Sequence, residues 1–186
     1  MSSHSDTPSR SAAERQLTEG LLRGEAAAQE QFLRQFAAGV FQLIVRIVPN
    51  TQDAEELTQD ALFRALRGIQ HYDPQQASLG TWLHRIAYRL TLNHLRRQPS
   101  VISLVSEIPD TSEPPAFSDD SLVPLLHEAL DYLPPDEQTL VHLFYYDDLP
   151  LSEIAYIIEA PPGTIATRLH RIRQKLHSII QKLQQQ

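Results

Sequence analysis

Apolar positions recur along most of this chain at helical spacing. Leu33, Phe36, Val40, Ile44 and Ile47 stand three or four residues apart, which predicts an amphipathic helix over residues 26–48. Pro49-Asn50 ends it, and Asn50 or Thr51 can cap the next helix. The first turn of that helix holds Asp53, Glu55 and Glu56, where the helix dipole favours acids, and Ala54, Leu57, Ala61, Ala65 and Ile69 form its inner stripe. HYDPQQASLGT reads as a loop, and residues 82–97 as a third helix with Leu83, Ile86, Leu90 and His94 inward. Further on, residues 122–132, 136–145 and 151–159 read as helices. Pro134-Pro135 and Pro150 open the last two, because Pro at a helix start costs no hydrogen bond. The final helix begins at Pro161 or Pro162 and repeats Ile165, Leu169, Ile172, Leu176, Ile179 and Leu183. No segment alternates as a strand does, so the expected fold class is all-α.

Two stretches break the periodicity. Residues 1–15 are polar and read as a disordered tail without the apolar core of a secretory signal. Residues 98–121 carry four Pro, several Ser and five acids, and read as a flexible acidic linker. It separates a helical domain over 16–97 from a second over 122–186, and no internal repeat is visible.

Charge sharpens this division. The 186-residue chain has a net charge of −7, yet residues 82–97 hold four Arg and no acid, and residues 160–186 hold five cations and no acid. Between the two islands, residues 98–159 contain no Lys or Arg at all. Such asymmetry points to two places where a polyanion binds. The acidic remainder is expected to limit non-specific DNA binding by the free protein. There is no Cys, which excludes disulfides and thiolate metal sites and fits a reducing cytosol. No run of about 18 apolar residues predicts a membrane span. The eight His are scattered, and no phosphate loop, G-x-S-x-G or H-E-x-x-H motif occurs, so neither a catalytic site, a metal site nor a cofactor is expected.

Three outward stripes carry the functional reading. On the last helix, Thr164, Thr167, Arg168, Arg171, Arg173 and Lys175 lie off the apolar stripe. A short helix, the tight EAPPG turn and then small polar and basic residues make a helix-turn-helix, whose second helix enters the DNA major groove. The plainer alternative is a solvated cationic face. On residues 82–97, Trp82, Arg85, Arg89, Asn93 and Arg96 form one stripe with Tyr88 nearby and Arg97 at its end. Cations interleaved with aromatics suit a nucleic-acid strand. Trp82 is expected half in the core and half exposed, since Trp is usually buried for the most part. On the second helix the outer face is Asp53, Glu56, Asp60, Phe63 and Arg67. An exposed Phe among charges suggests a protein partner, unless Phe63 turns under to the core.

In this order, the residues resemble a bacterial extracytoplasmic-function sigma factor, group IV of the sigma-70 family. DAEELTQDALFRAL is similar to that family's D-A-E-D-L-x-Q-E-x-F-x-R-A segment. WLHRIAYRLTLNHLRR is similar to its W-L-x-x-I-A-x-N-x-x-x-D-x-x-R-R segment. The stretch ending GTIATRLHRIRQKL resembles its second domain and the P-x-G-T-V-x-S-R-L-x-R-A-R motif. The resemblance covers residues 24–97 and 125–177. It implies a non-enzymatic, cytoplasmic initiation factor with a sigma-2-like helical bundle and a sigma-4-like helix-turn-helix domain. Asp53, Glu56, Gln59, Asp60, Phe63, Arg64 and Arg67 would dock on the clamp helices of the largest subunit of core RNA polymerase. The second domain would meet the β flap. The 71–81 loop, with Tyr72, and the helix over 82–97 would bind the −10 promoter element and capture a flipped base. The last helix would read the −35 element. An anti-sigma factor is a further implied partner, and could hold the protein at the membrane without insertion of this chain.

Departures from the pattern bear on detail. Glu159 stands where the family has Gly, so either a left-handed residue costs about 1 kcal/mol there or the two prolines reshape the turn. Ala166 removes one phosphate contact, and Arg89 replaces a common Asn. Competing readings are an operator-binding dimeric regulator and a module that only occupies a partner. The cations at Arg85, Arg96, Arg168 and Arg171 argue against the second.

Overall fold

The computed structural model describes residues 12–48, 50–97 and 123–184. The 98–121 linker, residues 1–11 and Pro49 lie outside the described residues. Those described form eight α-helices and no strand, and the chain divides into two compact units between Asn93 and His94.

The first unit starts earlier than the sequence suggests. Helix α1 spans Ala12–Leu22 and buries Leu17 and Leu21, so residues 12–15, read as tail, are helical. Two apolar anchors one turn apart are too few to show a period. Docking on α2 (Ala26–Ile47) supplies what the pattern lacks. The approach is close, because a Cβ at Gly20 would lie 2.7 Å from that of Ala28. Gly24, at φ 72, makes the intervening turn that an L side chain resists.

Helix α2 buries Phe32, Val40, Leu43, Ile44 and Ile47. Leu33, expected inward, is instead 39% exposed and Phe32 takes its place, its ring tilted against that of Phe36 with centroids 5.2 Å apart. The larger ring wins the core position, since it removes more apolar surface from water. Helix α3 (Thr51–Arg67) is capped by Asn50, whose side-chain oxygen accepts from the Gln52 and Asp53 amides at 2.9 and 3.4 Å. Its fully buried residues are small, Ala54, Ala61 and Ala65, which lets it pack closely on α2. A 3₁₀ turn, Ile69–His71, and a short loop lead to α4 (Leu79–Arg97). Helix α4 buries Leu79, Leu83, Ala87, Leu90 and Thr91, whereas Ile86 and His94, expected inward, are only partly covered.

In the second unit, α5 (Val123–Asp131), α6 (Pro135–Val141) and α7 (Leu151–Ile158) all pack on the long α8 (Pro162–Leu183). Pro135 and Pro162 sit in the first helical turns, where a missing N–H costs nothing. Helix α6 does not continue to residue 145 as an α-helix. It widens into a π-helical turn, His142–Tyr146, closed by the Asp147 amide donating to the His142 carbonyl at 3.1 Å. The extra residue in the turn leaves Tyr145 and Tyr146 exposed while Leu143 stays in the core. Along α8, Ile165, Leu169, Ile172 and Leu176 are buried as expected. The stripe then passes to Ile180, and Ile179 and Leu183 are half-covered. A strict three-four alternation drifts around a 3.6-residue helix, so the inner position shifts by one.

Candidate nucleic-acid interface

Helix α4 separates its aromatics from its cations. Trp82 is 9% exposed, and Tyr72 and Tyr88 are buried too. Trp82 is therefore a core residue, not the half-exposed platform its place on the stripe suggested. The cause is a partner: the Tyr72 ring lies 5.3 Å from it, tilted by 47°. Edge-tilted pairs of this kind add to the burial of two large apolar surfaces. The Tyr72 hydroxyl, which needs acceptors once buried, has two at 3.0 Å, a Glu14 carboxylate oxygen and the Ala77 carbonyl. Outside this core, Arg89, Asn93, Arg96 and Arg97 are exposed and Arg85 is partly so. Arg96 and Arg97 also sit in the last turn, where cations complement the helix dipole.

Helix α8 ties two of its cations to acids of another helix. The turn before it is left-handed at Glu159, with φ 60 and ψ 42, so the substituted residue does take the conformation that glycine prefers. The Ala160 amide closes the turn on the Ala155 carbonyl at 3.1 Å. Helix α8 then presents Thr164, Ala166 and Thr167 outward in its first turns, with the Thr167 hydroxyl donating to the Gly163 carbonyl at 2.9 Å. Arg171 and Arg173 are exposed. Arg168 instead donates to Asp136 at 2.6 Å, and Lys175 to Glu137 at 3.0 Å. The Lys175 side chain is only 16% exposed. Asp136 and Glu137 occupy the first turn of α6, 32 and 38 residues upstream of their partners. Of the six predicted positions, four face outward and two also tie α6 to α8. No local spacing announces pairs so distant in sequence.

On α3, Phe63 is 58% exposed, so it does not turn under to the core. Asp60 pairs with Arg64 at 2.9 Å, one helical turn on, and the Arg67 guanidinium lies 5.4 Å from the centre of the Phe63 ring. These residues, with Gly68, Gln70 and His71, line an open groove of about 510 Å³. Glu56 and Gln59 are exposed on the same helix, and Asp53 is partly covered. A large apolar ring held upright between charges suits a protein partner better than a phosphate backbone.

Known proteins match on both units. Residues 32–100 match sigma-70 region 2, and residues 125–176 match sigma-70 region 4. The chain is 33% identical over 169 residues to the ECF RNA polymerase sigma factor SigE of Mycolicibacterium smegmatis, covering 86% of this chain and 65% of that protein. It is 31% identical over 158 residues to the ECF RNA polymerase sigma factor SigW of Bacillus subtilis, covering 77% of this chain and 84% of SigW. Among solved structures, CnrH in complex with the cytosolic domain of CnrY has a TM-score of 0.67 at 17% identity, covering 91% of this chain and 98% of CnrH. The sigma factor RpoE from Bartonella quintana, in complex with the anti-sigma factor NepR, has a TM-score of 0.60 at 21% identity, covering 82% and 96%. At those identities the solved structures speak for a shared fold.

Proposed function

The chain belongs to the extracytoplasmic-function sigma factors of the sigma-70 family, and from that premise we propose how its surfaces divide the work of initiation. Helix α3 docks on core RNA polymerase, with Phe63 entering an apolar recess on the clamp helices and Asp60, Arg64 and Arg67 ringing it. Helix α4 and the loop before it bind the −10 element, and α8 reads the −35 element. The observation that carries this division is the occurrence of two basic helix faces, one on α4 with Arg85 and Arg89 in the first unit and one on α8, the second helix of a helix-turn-helix, in the second.

The buried Trp82 changes how the −10 element is held. Its face is occupied by Tyr72, so a base leaving the duplex meets the outer residues of the loop, Pro74, Gln75 and Gln76, and the polar edge of α4 at Arg85, Arg89 and Asn93. Arginine holds phosphate there, and amides read base edges. Unstacking costs a few kcal/mol, offset by these contacts, so strand opening is driven by binding energy and no covalent step is assigned to this chain. On α8, Thr164, Thr167, Arg171 and Arg173 meet the major groove.

The remaining assignments follow the same premise. Residues 98–121 connect the −10 and −35 domains, and their acids follow the path that nascent RNA takes. The protein acts in the bacterial cytoplasm, where polymerase is. Among the described residues no helix is long and apolar enough to cross a membrane. An anti-sigma factor is a partner by analogy with RpoE of Bartonella quintana, solved in complex with the anti-sigma factor NepR. Run-off transcription with bacterial core polymerase, with and without this protein, on a genomic promoter library tests the reading. Protein-dependent transcripts sharing two spaced elements are expected. Failure to bind polymerase, with retained binding to duplex sites, would contradict it in favour of an operator-binding regulator.

A further inference from the structure

Glu14 lies in the first turn of α1, a helix that carries none of the candidate DNA or polymerase contacts. Yet one of its carboxylate oxygens reaches two points of the −10 unit far along the chain. It accepts from the Leu79 amide at 2.7 Å and from the Tyr72 hydroxyl at 3.0 Å. Leu79 is the first residue of α4, whose first turn holds no acid of its own. A carboxylate at that point satisfies a free amide and complements the positive end of the helix dipole.

The two bonds close a loop. Tyr72 ends the 3₁₀ turn and Leu79 begins α4, so both ends of the 73–78 segment are fixed to the same oxygen. Inside the segment the Asp73 carboxylate accepts from the Gln75 amide and the Gln76 side chain, each at 2.9 Å. Ser78 caps the Thr81 amide at 3.1 Å. The loop is thus ordered from within, and Glu14 anchors its base. It also holds the Tyr72 ring against Trp82.

We propose that Glu14 is a positioning residue for promoter opening, which holds the loop over 72–78 and the start of α4 in the shape that receives the displaced strand. The inference rests on the sigma-factor reading. A loop already ordered loses less entropy on capturing a base, so more of the contact energy goes into opening the duplex. Core polymerase docking is assigned to α3, whose Phe63 groove is lined by neither Glu14, Tyr72 nor Leu79.

Glu14→Ala should leave the unit folded, because Leu17, Leu21 and the close approach at Gly20 still dock α1. The test uses holoenzyme reconstituted from bacterial core polymerase and the full chain. Templates are a promoter obtained with the unaltered protein, either fully duplex or carrying a non-complementary bubble at the −10 element. Glu14→Ala is expected to lower transcription from the duplex about ten-fold, the loss of hydrogen bonds to a charged acceptor. On the bubble template it should stay within about two-fold of the unaltered protein, with core affinity unchanged. Glu14→Gln keeps an acceptor oxygen and should recover most of the duplex activity. Equal losses on both templates would overturn the proposal in favour of a purely structural role, as would no loss on either. Failure to obtain any promoter with the unaltered protein would instead remove the sigma-factor premise, and the proposal with it.

Discussion

In α4 Arg89, Arg96 and Arg97 are exposed and Arg85 is partly covered, on a helix whose aromatics are buried. In α8 two of the cations are engaged by acids from a neighbouring helix. Both helices come from acid-free stretches of an acidic chain, and the sequence predicts DNA contacts for Arg85, Arg89, Arg96 and Arg97 on the first and for Arg168, Arg171, Arg173 and Lys175 on the second. The difference shows that a basic island does not translate residue by residue into phosphate contacts. Arg168 and Asp136 are near the surface, with side-chain exposures of 31% and 48%, so their pairing is weak and readily exchanged for phosphate. Lys175 and Glu137 are more enclosed, and parting them would strand a half-buried charge. Arg168 can be surrendered to DNA, whereas Lys175 ties α8 to α6.

Breaking one unit and sparing the other is the severest test of this contrast. Ile165 is wholly buried beneath the start of α8, so Ile165→Ala should destabilise the second unit by about 2–5 kcal/mol. Denaturation of the full chain would then show an early transition for that unit and an unchanged one for the first. Phe63→Ala comes next. It should weaken binding to core polymerase by about 2 kcal/mol or more. Its thermal midpoint should barely move, because an exposed ring contributes little to folding.

Within α8, Arg171→Ala should cost about 1–3 kcal/mol of affinity for the −35 duplex and reduce its salt dependence. Lys175→Ala should leave that affinity nearly intact and lower stability by about 1 kcal/mol. Equal affinity losses from the two would erase the distinction between them. Glu159→Gly should raise the thermal stability of the second unit by up to about 1 kcal/mol, since glycine takes the left-handed turn without strain. Smallest of all, Asp136→Asn should raise affinity for non-specific duplex a few-fold at low salt, an effect that fades as salt is added. Titration in low and high salt would detect it.

Much of the architecture was legible in the apolar period. Helices α2, α3, α4 and α8 fall close to their expected ranges, because each carries enough apolar positions to reveal its phase. What escaped was decided between elements. The first residues of α1 look like tail because its two anchors are meaningful only against α2. Leu33 and Phe32 are equally plausible by spacing, and only packing picks the larger. Phe63 and Trp82 could each have faced either way. A neighbouring ring buried Trp82, and no neighbour covered Phe63. Glu14, Asp136 and Glu137 carry no signal in the sequence, since their partners lie 32 to 65 residues away and no local spacing encodes them.

In the proposed division of labour the two basic helices serve different promoter elements. Footprinting of the holoenzyme on one promoter, with permanganate reactivity recorded on the same complexes, tests it most directly. Arg171→Ala should erase protection upstream, near −35, and leave any complex that forms fully reactive at −10. Arg89→Ala combined with Arg96→Ala should keep the upstream protection and lose the permanganate signal. If both variants lost the same protected bases, or if neither changed the pattern, the division of labour between α4 and α8 would be wrong.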